Sequence, residues 1–92
     1  MTPGARLKAL IARDGLIQAM AAHSPLSARL AQEAGFEAIW ASGFELSAAF
    51  GLPDASLVSM TQHLDCTAAM AAAVQTPIIA DLDTGFGNAT NL

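Results

Sequence analysis

The chain is predicted to adopt an α/β fold of about three parallel strands with helices on the outside, and three observations carry that expectation. Short apolar runs bounded by turn residues recur at 16–22, 36–42 and 77–81. Segments with helical spacing and capping residues lie before and between them. Polar residues fall just beyond each run, where α/β folds hold their ligands: His23, then Ser42 and Gly43, then Asp81 and Asp83.

Each element has its own local warrant. In 4–13, Leu7, Leu10 and Ile11 sit at helical spacing and Asp14-Gly15 supplies a stop. The run "LIQAMAA" (16–22) suits a buried strand. Ser24-Pro25 then offers an N-cap and a proline preset for the first helical position, and Gly35 a C-terminal stop. "FEAIWAS" (36–42) reads as the next strand, with Phe36, Ile39 and Trp40 as its bulk. The Gly and Pro content of 43–56 makes it a loop or a broken helix. Ser59 caps a helix over 60–74, with Leu64, Ala68, Met70 and Ala71 on adjacent faces and His63 facing solvent, until Thr76-Pro77 ends it. The last strand, 77–81, delivers two aspartates to its carboxyl end.

Composition narrows the function classes. A net charge of −4 from four basic and eight acidic residues argues against a nucleic-acid or anionic-membrane surface. The longest Ala-rich stretch, 68–74, is far too short to cross a bilayer. One cysteine, Cys66, permits no internal disulfide, which points to a reducing compartment and places the chain in the cytoplasm. Three parallel strands cannot close a barrel and leave sticky outer edges. The expectation is therefore one partial domain over 1–92, the N-terminal fragment of a longer enzyme or a piece completed by other chains.

The chemistry concentrates in "PIIADLDTGFGN" (77–88). Asp81 and Asp83 are two apart, so on an extended backbone both carboxylates project to one side. Hard oxygen ligands at that spacing suit Mg²⁺, which takes one or two carboxylates and keeps water and substrate oxygens. The alternative is that Asp83 caps the following turn while Asp81 accepts backbone donors. "GFGN" lacks the Gly-Lys-Ser/Thr of a phosphate loop, and its glycines are expected to let the backbone approach a ligand closely or take positive φ. Ser42-Gly43-Phe44 is either an oxyanion-binding turn with consecutive free N–H groups or a plain cap. Asp54, in "GLPDAS", is either a gating group or a solvated turn residue, and Glu45 either supports the site or is exposed. His23 reads as structural, packing or bonding a backbone carbonyl, and Cys66 as a small buried hydrophobe.

The segments "AAHSPLSARLAQEAGFEAIWASGFELSA", "GLPDAS" and "PIIADLDTGFGN" together resemble the phosphoenolpyruvate mutase and isocitrate lyase superfamily. Within it, "MAAHSPL" and "SGFELSA" are most similar to the phosphonopyruvate hydrolase branch. The resemblance implies an (α/β)8 TIM-type barrel, Mg²⁺, an α-keto acid or phosphonate substrate and a homo-oligomer, tetrameric in the family. It further implies that Asp81 ligates Mg²⁺ and touches substrate, and that Asp83 holds the ion's waters. Trp40, Ser42, Gly43 and Phe44 would line the pocket, and Asp54 would be the catalytic aspartate of a gating loop. The implied reaction is P–C cleavage of phosphonopyruvate to pyruvate and phosphate. The mutase and the C–C lyases of the superfamily are the alternative chemistries, and a non-catalytic piece packed in an oligomer is the alternative class. Basic residues that would grip the phosphonate are missing from these 92 residues, so the isolated chain is expected to show no turnover and to self-associate.

Overall fold

A computed structural model describes residues 1–53 and 59–82. The elements run α1 (Pro3–Ala12), β1 (Ala19–Ala22), α2 (Pro25–Glu33), β2 (Ala38–Ala41), α3 (Gly43–Ala49), α4 (Met60–Ala73) and β3 (Ile78–Ala80). The strands form one parallel sheet in the order β1-β2-β3, which confirms the predicted α/β class. No helix among the described residues is long and apolar enough to cross a membrane.

Local chemistry sets most boundaries. Ser24 Oγ accepts from the Ser27 N–H at 3.1 Å while Ser27 Oγ accepts from the Ser24 N–H at 3.1 Å, so two donors at the start of α2 are satisfied reciprocally. Ser59 and Gln62 do the same for α4, at 3.1 and 2.8 Å. Thr2 caps α1 ahead of Pro3. At the other end of α2, Gly35 takes a positive φ of 93°; its N–H donates to Gln32 O and the Phe36 N–H reaches back to Ala31 O. That pair of bonds, with Phe36 turned back onto the core, is a Schellman stop.

The core is built from small residues. Ala22, Ile39 and Ala41 on the sheet meet Ala28 and Ala31 of α2 and Met70 of α4, with Val74 just beyond its end. Alanines on both sides let the helices lie close to the strands. Gln32 of α2 closes the far side: its Oε1 accepts from the N–H groups of Gln75 and Thr76 and from the Thr76 hydroxyl. The turn into β3 is thereby tied to α2, and buried Thr76 is not left without partners.

Several expectations need correction. The first strand starts at Ala19 and not at Leu16, which is 88% exposed, because the parallel partner begins only at Ala38. The second strand is likewise shorter than 36–42, since Phe36 belongs to the stop of α2. Residues 43–49 form a helix that ends at Gly51 (φ 71°), where the Gly51 and Leu52 N–H groups donate to Ala48 O and Ser47 O in a second Schellman arrangement. On α4 the inward stripe is buried His63 and Met70 with half-buried Cys66 and Ala73, and Leu64, Ala68 and Ala71 are exposed. His63 is therefore buried, contrary to its expected exposure, because α4 turns that stripe toward α2 and β3.

Candidate functional site

Strand register builds the site in rows. Ala21, Trp40 and Ile79 are cross-strand partners, and the helix-facing residues Ile39, Ala41 and Ile78 alternate with them. Side chains repeat with a period of two, so His23, Ser42 and Asp81 stand one step further along the row of Ala21, Trp40 and Ile79. The ladder runs one bond past the strands: the Ser42 N–H donates to Ala22 O at 3.1 Å and the Asp81 N–H to Ala41 O at 3.1 Å. Three polar residues from three strands are held at one end of the sheet.

Ser42 is buried and is the N-cap of α3, its Oγ accepting from the Glu45 N–H at 3.0 Å. Gly43 opens the helix, and its N–H donates to Asp81 Oδ2 at 3.2 Å. This bond joins the two sequence motifs, 38 residues apart, into one cluster. It also changes one expectation: the N–H groups after Ser42 are not all free, because that of Gly43 is committed to the aspartate. Phe44 follows in the first turn of α3, where helix N–H groups have no intrahelical acceptor, and its side chain is 61% exposed. Trp40, one row below, is 40% exposed. Asp54 and Asp83 lie outside the described residues.

His23 and Glu45 are more connected than their sequence context suggested. His23 Nδ1 meets Glu45 Oε1 at 3.2 Å, an ion pair when the imidazole is protonated and a hydrogen bond otherwise. The His23 N–H donates to Ser27 Oγ, and its carbonyl accepts from Cys66 Sγ at 3.1 Å. His23 thus bonds a carboxylate through its ring, in place of the expected backbone carbonyl. Burial pushes the Cys66 thiol above its ordinary pKa, which keeps it a neutral donor. A histidine and a glutamate that each follow a strand end were the available signal for this contact; their 22-residue separation hid it.

Asp81 supplies a hard carboxylate oxygen at the sheet's carboxyl end, and no group of three or more His, Cys, Asp or Glu side chains that could hold a metal occurs among the described residues. The Asp81 carboxylate fits an ion that binds through one or two carboxylates and keeps waters, as Mg²⁺ does.

The family model described as "Phosphoenolpyruvate phosphomutase" matches residues 7–92. Phosphonopyruvate hydrolase of Variovorax sp. (strain Pal2) is 53% identical over 92 residues, covering 100% of this chain and 32% of that protein. Phosphoenolpyruvate phosphomutase of Streptomyces viridochromogenes is 45% identical over 86 residues, covering 92% of this chain and 28% of the relative. A crystal structure of phosphonopyruvate hydrolase in complex with oxalate and Mg²⁺ superimposes with a TM-score of 0.95 at 54% identity, covering 99% of this chain and 32% of that one. The chain spans about a third of the length of these proteins. With the family model matching residues 7–92, nearly the whole chain, the chain belongs to the phosphoenolpyruvate phosphomutase family.

Proposed function

We propose that this chain supplies the metal- and pyruvyl-binding rim of a barrel enzyme that hydrolyses phosphonopyruvate to pyruvate and phosphate. The observation that carries the reading is the bond from the Gly43 N–H to Asp81, which makes the serine-glycine turn and the strand-end carboxylate one cluster. The identity to the Variovorax hydrolase, 53% over the whole chain, is above the 45% to the Streptomyces viridochromogenes mutase and one point above the 52% to a solved phosphoenolpyruvate phosphomutase of Streptomyces platensis, so it leans to hydrolysis by a narrow margin.

In this reading Asp81 and Asp83 would hold Mg²⁺, directly and through water. The ion, when bound, supplies Lewis-acid stabilisation of the negative charge that develops on the keto oxygen. The chain's own residues would orient the substrate. Ser42 Oγ already accepts from the Glu45 N–H, so its O–H is left to donate to the pyruvyl carboxylate, beside the Phe44 N–H. Gly43 has no side chain to obstruct the substrate, and its N–H steadies Asp81. Trp40 and Phe44 would form the apolar wall, and Asp54 would act from the gating loop as the catalytic aspartate. The P–C bond breaks with its electron pair left on the pyruvyl carbon, which then takes a proton, while a water oxygen bonds to phosphorus. In the mutase alternative, which the family's own description supports, the enolate oxygen and phosphorus combine instead.

The test is a transplant. Residues 1–92 replace the matching third of the Variovorax hydrolase, and pyruvate and phosphoenolpyruvate are each measured with a coupled enzyme. Pyruvate release that needs Mg²⁺, stops with EDTA and falls at least about 100-fold in Asp81→Ala is the expected result, since even residues that only support a metal ligand cost up to that factor. Full activity in chelator, or phosphoenolpyruvate as the product, would falsify the hydrolytic reading.

A further inference from the structure

Four contacts around the ends of β1 and β2 close on themselves. Ala22 O accepts from the Ser42 N–H; Ser42 Oγ accepts from the Glu45 N–H; Glu45 Oε1 meets His23 Nδ1; and His23 is bonded covalently to Ala22. Glu45 takes part twice, through its backbone and through its side chain. His23 is itself pinned from two further elements, by Ser27 of α2 and Cys66 of α4. The ring therefore ties the first turn of α3, which carries Ser42 and Gly43, to a point that three other elements hold still.

We infer that His23 and Glu45 are a positioning pair: they fix the angle at which α3 leaves β2, and so the placing of the Ser42-Gly43 turn against Asp81. The catalytic consequence rests on the function proposed above; the structural one does not. Neither residue needs to touch substrate. Without the side-chain link, α3 keeps its serine cap and the backbone bond from Ser42 to Ala22 but loses its second tie to the end of β1, and the Gly43 N–H is held less firmly toward Asp81. A loosened turn binds a keto acid less well because the donors must be ordered at the moment of binding.

Two measurements test it. In the full 92-residue chain, hydrogen–deuterium exchange read by mass spectrometry follows segment 42–46 against segment 66–73. Glu45→Leu is expected to speed exchange of the first segment about tenfold and leave the second unchanged, while Glu45→Gln, which keeps an acceptor for the His23 Nδ1–H, stays within about twofold of the parent. His23→Asn gives the same local loosening from the other side. In the transplanted hydrolase, Glu45→Leu is expected to raise the KM for phosphonopyruvate more than it lowers kcat, with rescue by Gln. Unchanged exchange at 42–46 in both Glu45→Leu and His23→Asn overturns the pair. So does a loss that spreads equally over 66–73, or one that Gln fails to rescue. If the transplant itself is inactive, the functional reading fails while the exchange experiment still decides the pair.

Discussion

Glu37 does at the amino ends of the strands what His23 does at the carboxyl ends. Its Oε1 accepts from the Gln18 N–H at 3.2 Å, just before β1, and its Oε2 pairs with Arg13 Nη2 at 2.6 Å. The Gln18 N–H first, and the Arg13 guanidinium after it, hold the Glu37 carboxyl below the usual glutamate value. A carboxylate with a depressed folded-state pKa contributes stability that is fully present above its unfolded pKa and is lost as pH falls through the folded value. Acidification below about pH 4.3, the ordinary glutamate midpoint, should therefore loosen the wild-type chain partly through this residue. Thermal melts between pH 7 and pH 3 should show a shallower acid decline in Glu37→Gln; parallel declines in the two proteins would exclude the assignment. The two side chains keep 42% and 30% of their surface in water, where ion pairs are screened, so the effect is a change of slope and not a large loss at neutral pH.

At the scale of elements, the two glycine stops bear most on where helices end. Gly35 and Gly51 both adopt positive φ, and a Cβ added at either would meet nothing within 4 Å. Replacing Gly35 by Ala thus costs conformational strain alone, about 1 kcal/mol, read as a lower urea midpoint at unchanged slope. A neutral Gly35→Ala would mean that the helix ends by some other device. The same pair of stops shows what the sequence could convey. Gly35 was legible because a capped, periodic helix precedes it. Gly51 offers the same signal, but Gly43 and Pro53 around it make the stretch irregular in sequence, so a loop and a broken helix cannot be told apart until α3 is seen. The caps at Ser24 and Ser59 were legible because their partners lie three residues away. On α4 alanines occur on every side, so periodicity alone does not choose a face, and it is packing against α2 and β3 that buries His63. The strand-end positions of Ser42 and Asp81 were readable from alternation, whereas the bond between Gly43 and Asp81 spans 38 residues and exists only once the parallel register is set.

For the whole molecule, the balance between buried and exposed apolar surface decides behaviour. The core is mostly alanine, and its largest fully buried side chains are Ile39, Met70 and Pro77. Meanwhile Leu16, Ile11, Leu26, Leu64 and Phe44 each keep more than half of their surface in water. Small buried residues return little free energy per residue, about 25 cal/mol for each Å² removed from water, while a chain this short buries a modest fraction of its surface. The sheet adds a second drive toward association: β1 and β3 are each paired on one side only among the described residues. Unpaired parallel edges beside exposed leucines are template and adhesive together. Expressed as residues 1–92, the chain should therefore sediment as oligomers whose size grows with concentration through the micromolar range, and should release no pyruvate from phosphonopyruvate with Mg²⁺. Placed within the matching hydrolase, the same residues should lose this concentration-dependent association through strand edges, because neighbouring strands would occupy both of them. A monodisperse monomer of the isolated chain at all concentrations would show that the edges and leucines are already protected, and Mg²⁺-dependent pyruvate release from such a monomer would show that the rim is competent without the rest of a barrel.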